Sequence, residues 1–436
     1  MKVVLAILLN GALLAVLLPW LRRQWQEVGG WMRAALVIGL GARLVVAIAT
    51  GRHLVHDAGY MSHYGQLLTA QLWAEPMAAF RTLWSDELHY AGDAVVFHGM
   101  SNTFFFTKIA SLLNIASLST NWVNAVYFSL FSFAGCWQLS RALAKAFPQT
   151  PAGAGVLAFV LWPSVIFWAS GVTKESMVLG SGAWMLALFI DLFFGIEKHP
   201  KWQQWLWGFG LVVLMLVHFK MRYFFAAPIL GALIALASVR LLQRFGLARS
   251  RWLQVVVMVG VLSAGAWLAS EVSVAFRVNK FTNQVMRNYG HNVAASVGKP
   301  HFEYSDLQPT TASIVRHIPQ AVANALTRPW LGESKEWLYV AAGLEDALLL
   351  LLLAVALLAA WQGKSGRLPF GLGLVLVVHC LVLAALLGLS TPNLGSLHRY
   401  RSGLLPYLVL LLLQNEYMAV ALRRLGMRNE NAEPQS

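Results

Sequence analysis

The chain has 436 residues, of which 58% are hydrophobic and 12% charged, with a formal net charge of +14. A soluble domain carries about 25% charged residues, so an ordinary soluble enzyme is excluded. The basic residues sit in small groups between apolar runs, which excludes a nucleic-acid groove and points to an all-α polytopic membrane protein. Taken in order, apolar runs near the ~20 residues needed to cross a bilayer cover 3–20, 31–50, 121–143, 153–171, 175–195, 203–219, 223–240, 252–270, 338–361, 369–390 and 402–421, which predicts eleven spans. The first run ends in Pro19-Trp20-Leu21-Arg22-Arg23 without a small-residue cleavage site and reads as a retained span. Cys136 and Cys380 lie inside apolar runs and read as small core residues, not a disulfide.

The short loops divide by charge. Arg22, Arg23, Arg33, Arg141, Lys145, Lys198, Lys201, Arg240, Arg244, Arg249, Arg251, Lys364, Arg367, Arg423, Arg424 and Arg428 fall on one side; Lys174, Lys220, Arg222, Arg399 and Arg401 fall on the other. The positive-inside rule places the richer set in the cytoplasm, the N-terminus outside and the C-terminus inside. Segment 103–119 is apolar enough to cross, but a crossing there would invert every later loop. It is therefore expected to lie along the outer face with Lys108 and its Ser/Thr/Asn positions toward water. Residues 1–428 form one membrane domain with two long outer segments, 51–120 and 271–337, expected to hold short amphipathic helices. The polar tail 429–436 is expected to be disordered.

Chemistry is expected at the outer rim. Asp57 leaves the second apolar run and is followed by Tyr60; it suits a general base, and equally an N-cap for the helix predicted over 58–72. Three short outer loops bring Lys174 and Glu175, Lys220 and Arg222, and His398, Arg399 and Arg401 to the same boundary. Arginine forks match phosphate oxygens and lysine adds point charge, so these residues are candidates for binding an anionic, lipid-linked substrate. Lys174 and Glu175 alternatively pair with each other. Arg43, inside the second run, needs an internal partner. His53, His56, His63, His89 and His98 are ligand types, but their spacing matches no metal-site signature. No firm cofactor expectation follows, and divalent-cation dependence stays open.

The early arginine, the Asp57 loop, the stretch Leu161-Trp162-Pro163-Ser164-Val165-Ile166-Phe167-Trp168-Ala169-Ser170-Gly171-Val172-Thr173-Lys174-Glu175, the turn Lys220-Met221-Arg222-Tyr223 and the run His398-Arg399-Tyr400-Arg401 before Pro406 together resemble the polytopic glycosyltransferases of the GT-C fold, relatives of protein mannosyltransferases and the lipid A aminoarabinose transferase. The resemblance implies sugar transfer from a polyprenyl-phosphate or polyprenyl-diphosphate donor at the periplasmic face of a bacterial inner membrane, with Asp57 as the catalytic carboxylate. It implies a lipid-linked sugar or glycan and membrane lipids as partners. The chain departs from the family in placing this loop after the second span and in lacking a Trp-Trp-Asp motif. A polysaccharide polymerase or O-antigen ligase is the alternative, with His291, Arg287, Arg316 and His317 of the second long segment in the active positions. A lipid-linked glycan transporter is the third reading.

Overall fold

The computed structural model describes residues 1–54, 57–97, 101–195 and 200–428, and nearly all of them are helical. The chain begins with α1 (Lys2–Glu27), α2 (Gly30–Arg52), α3 (Asp57–Ala74) and α4 (Pro76–Trp84), then a hairpin of β1 (Glu87–Tyr90) and β2 (Asp93–Val96). Next come α5 (Asn102–Ser117), α6 (Asn121–Ala146), a short α7 (Ala154–Val156), a π-helical turn over Leu157–Leu161 and α8 (Pro163–Trp168). α9 (Lys174–Phe194), α10 (Lys201–Met221), α11 (Tyr223–Arg244) and α12 (Arg251–Val272) follow, then α13 (Val278–Ala294) and α14 (Thr311–Thr327). The chain closes with α15 (Trp337–Trp361), α16 (Phe370–Ser390), α17 (Leu394–Arg401), α18 (Leu405–Leu412) and α19 (Glu416–Arg424). Among the described residues, 8 helices are long and apolar enough to cross a membrane: α1, α2, α9, α10, α11, α12, α15 and α16. The protein is a helical membrane protein.

Three of the predicted spans look different. Segment 121–143 is one continuous helix, α6, but Asn124, Ser129, Ser132 and Ser140 make it the polar centre of the bundle, where all four are buried against α2, α9 and neighbouring backbone. Segment 153–171 is broken. The π turn disturbs the regular ladder, and Pro163 starts a new helix at its first position, where a missing N–H costs nothing. Segment 402–421 is broken too, into α18 and α19, because the Asn415 side chain caps a new start by accepting from Met418 N. The first long outer segment is not wholly helical: β1 and β2 pair antiparallel, and Ala91 and Gly92 turn the chain with φ of 56° and 87°, the pattern of a two-residue hairpin turn.

The break has a visible partner. Arg43 of α2 is fully buried; its guanidinium donates to Phe159 O in the π turn (2.9 Å), Ala169 O just past α8 (3.2 Å) and Ser132 Oγ (3.0 Å). Carbonyls released by the irregular backbone thus accept from both terminal nitrogens of a cation that has no carboxylate partner among the described residues. Close approach between helices needs small residues: a Cβ on Gly51 of α2 would lie 2.6 Å from the Cα of Trp122 at the start of α6.

The expectation for 103–119 is corrected in its facing. α5 begins against Lys174, the first residue of α9, and ends four residues before α6, so both its ends lie at one rim. Its polar stripe points inward: Thr107, Ser111, Asn114 and Ser117 are buried, while Leu112 is half exposed. Asn114 donates to Thr69 Oγ1 (3.1 Å) and accepts from Asn124 Nδ2 (2.6 Å), tying α5 to α3 and α6. Lys108 reaches Ser85 O (2.7 Å). Hydrogen bonds that would go to water are made within the protein instead.

The two charge sets separate. Arg33 bonds Val28 O (2.9 Å), Arg141 pairs with Glu27 (3.0 Å), Arg240 bonds Phe193 O (2.9 Å) and Arg367 bonds Gln149 (3.2 Å), all at one end of the bundle. Lys174, Arg222 and Arg399 meet at the other. Lys198, in the richer set, and the tail 429–436 lie outside the described residues.

Candidate functional site

The first turns of α3 and α9, the end of α2, the α10–α11 turn and α17 enclose a cavity of about 310 Å³ at this end of the bundle. Its wall includes His53, Asp57, Lys174, Glu175, Arg222 and Arg399, with Phe167, Trp168, Trp337, Leu338 and Tyr400 as the apolar surface. Residues from nearly 350 positions apart in the chain therefore share one wall.

The charges form a chain. Asp57, the first residue of α3, accepts from Arg399 NH2 through Oδ2 at 3.1 Å. Arg399 Nε lies 3.6 Å from Glu175 Oε1, and the same oxygen accepts from Arg222 NH2 at 2.6 Å. Asp57 is well exposed, whereas Glu175 is buried. A carboxylate at a helix start is favoured by the helix dipole, which applies to both Asp57 and Glu175. The Arg222 guanidinium lies over Tyr400 (4.1 Å to the ring centroid) and against Phe225 (4.8 Å), two rings set at 75° to each other that together confine its fork. Burial pulls the Arg399 pKa down, but Glu175, Tyr400 and Asp57 outweigh it, so the group is raised and stays charged. Lys174 does not pair with its neighbour Glu175; Nζ donates to Asn102 Oδ1 (3.0 Å) and Thr103 Oγ1 (2.7 Å) at the start of α5. Three cations face two carboxylates, so the wall carries excess positive charge.

Several expected site residues stand elsewhere. Arg401 is turned away and buried, with NH2 2.6 Å from Asp346 Oδ1 and NH1 donating to Arg328 O (2.9 Å) and Ala325 O (3.3 Å). Residues two apart on a helix do not share a face, so Arg399 and Arg401 cannot both line the cavity. His398 is also buried behind the wall. Its Nδ1 accepts from Trp168 Nε1 at 3.0 Å, which orients a cavity-lining ring. Burial, and then the nearby Arg401, depress His398 to about 3, so the ring is neutral with its proton on Nε2. Lys220 is exposed on the last turn of α10, outside the lining. Tyr60 is outside it too, packed at a tilt against Tyr64 with ring centroids 4.7 Å apart. His291 lies on the exposed side of α13, and His317 pairs with Asp306 (3.0 Å) on α14; neither shares the cavity with Asp57.

Of the loop histidines, His53 lines the cavity, His89 pairs with Glu87 (2.9 Å) on the hairpin and His63 packs on Tyr64; His56 and His98 lie outside the described residues. Both carboxylates of this wall are engaged by arginines, Asp57 by Arg399 and Glu175 by Arg222, and among the described residues no three His, Cys, Asp or Glu side chains gather there.

The carboxylates of α15 went unread in the sequence. Glu345 accepts from Ser164 N (3.2 Å) and Ser164 Oγ (2.6 Å), capping the start of α8 and fastening α15 to the segment that carries Phe167 and Trp168. The signal was present: an adjacent Glu-Asp pair inside an apolar run is costly unless it has a role.

No protein-family model, curated protein or solved structure shows a significant match to the chain.

Proposed function

We propose that the chain is a GT-C-type glycosyltransferase. It moves a sugar from a polyprenyl-phosphate or polyprenyl-diphosphate donor to an acceptor at the periplasmic face of a bacterial inner membrane, in cell-envelope or exopolysaccharide synthesis. In this reading the chain crosses the bilayer eleven times, with the broken segments 153–171 and 402–421 among the crossings. The observation that carries it is the run Asp57–Arg399–Glu175–Arg222 along one cavity wall.

The donor phosphate lies against Arg222, Arg399 and Lys174. It competes with Asp57 for Arg399, which frees the carboxylate when the donor binds. An acceptor hydroxyl attacks the anomeric carbon and gives its proton to Asp57 as the carbon–oxygen bond to phosphate breaks. The phosphate leaves with an added negative charge, stabilised by the fixed guanidinium groups. Glu175 does not meet the reacting atoms; it positions the two arginines.

The test is to reconstitute the full chain in nanodiscs with polyprenyl-phosphate hexoses and pentoses carrying labelled sugar. Label should leave the lipid, and alanine at both Arg222 and Arg399 should slow its release about 10²-fold or more. If label stays on every lipid-linked donor offered, the reading fails. Glu175→Gln separates positioning from contact. Removing one of two negative charges should tighten inorganic phosphate inhibition several-fold, while kcat falls about tenfold because the two forks lose their common anchor. Unchanged kcat would leave Glu175 without a positioning role.

A further inference from the structure

Beside the cavity, on the other side of the Arg222–Tyr223 turn, lies a second and shallower recess of about 510 Å³. Its edge is one stripe of α13: Lys280, Asn283, Gln284 and Arg287, spaced i, i+3, i+4 and i+7 on a single helix face. The opposite stripe, with Val285 and Tyr289, is buried and faces α16, so α13 is held with its polar side toward the recess. The floor is Tyr223 and Phe224, rings 4.2 Å apart, braced by Phe276 (6.1 Å from Tyr223) and Phe281 (5.9 Å from Phe224). Neither Lys280 nor Arg287 makes a side-chain hydrogen bond or ion pair among the described residues. The amides between them are engaged within α13: Gln284 Nε2 donates to Asn288 Oδ1 (2.9 Å) and Asn283 Nδ2 donates to Asn279 O (2.7 Å).

We propose that this recess binds an acidic saccharide, one bearing carboxylate or phosphate, and that it holds the acceptor glycan during transfer. The inference rests on the glycosyltransferase reading and names its acceptor class. Two unpaired cations select for negative charge. Amides beside aromatic faces suit a ring with both hydroxyl edges and apolar faces; a phosphate headgroup alone would use only the cations. The recess and the cavity share the turn that carries Arg222, so a glycan held here ends next to the donor phosphate.

The experiment is equilibrium binding to the full chain in neutral phosphatidylcholine nanodiscs, with an oligogalacturonate tetramer as the acidic probe and maltotetraose as the neutral one. The acidic tetramer should bind and weaken as salt rises, and Lys280→Gln with Arg287→Gln should weaken it about tenfold or more. Asp57→Asn should leave this binding unchanged, so a failure of the catalytic assignment is distinguishable from a failure here. Equal binding of maltotetraose, binding indifferent to the double variant, or displacement of the tetramer by phosphatidylglycerol doped into the disc would each overturn the proposal, the last by making the recess a lipid headgroup site. Because both changed residues are exposed on one helix face, the double variant should retain the wild-type unfolding midpoint; a lowered midpoint with normal tetramer binding also counts against it.

Discussion

Asp57→Asn is expected to slow sugar transfer by about 10²–10⁴-fold, the usual contribution of a positioned proton acceptor. The amide keeps the shape and the start of α3, but it cannot take the acceptor proton. It also releases Arg399, whose NH2 now lies 3.1 Å from the carboxylate. Donor binding should therefore hold or tighten while turnover collapses. Single-turnover release of labelled sugar, alongside equilibrium binding of the same donor, reads both effects. Near-normal turnover in the variant removes Asp57 from the mechanism. Alanine at His291 serves as the control, because that residue is exposed on α13 away from the cavity lining, and it should leave turnover unchanged.

Arg401→Ala should damage the fold, not the chemistry. Arg401 and Asp346 are each 2% exposed or less, and the arginine is the partner of Asp346 Oδ1. Removing one side of a buried ion pair strands the other and costs about 3–5 kcal/mol, whereas replacing both by apolar residues of similar size is often neutral. The single variant should unfold well below the wild type in a thermal scan of the reconstituted protein. Arg401→Met combined with Asp346→Leu should recover most of the loss and keep measurable transfer. A stable Arg401→Ala protein with no transfer would return this residue to the substrate-binding group.

These two arginines show what the sequence could and could not convey. Spans were legible because the bilayer imposes a length, and α2, α9, α10, α11, α12, α15 and α16 follow the apolar runs closely. The rim cations were legible because loops as short as the one before Lys174 cannot carry a side chain far from the boundary. The breaks in 153–171 and 402–421 were hidden, since hydropathy measures side chains and the interruptions are in the backbone, at a π turn, at Pro163 and at Asn415. The inward facing of the α5 polar stripe is hidden for a related reason. Asn114 is polar toward Thr69 of α3 and Asn124 of α6, partners that only the tertiary arrangement supplies. Helical spacing alone sends the Arg399 and Arg401 side chains apart, so their division between cavity and core follows from the sequence once α17 is read as a helix. The hairpin had only Ala91-Gly92 to announce it, a weaker turn signal than Asn-Gly.

The grip of Arg43 on the interrupted segment sets a condition on how the protein is made. An arginine at the centre of a lone span costs about 2.5–3.5 kcal/mol to insert. Its acceptors belong to later stretches of chain: Ser132 comes 89 residues after it and Ala169 comes 126 residues after it. At roughly 5–20 residues per second, the ribosome needs about 6 to 25 s to deliver the last of them. During that interval the Arg43 guanidinium has none of these acceptors, and its insertion cost is offset only by the apolar residues of α2 itself.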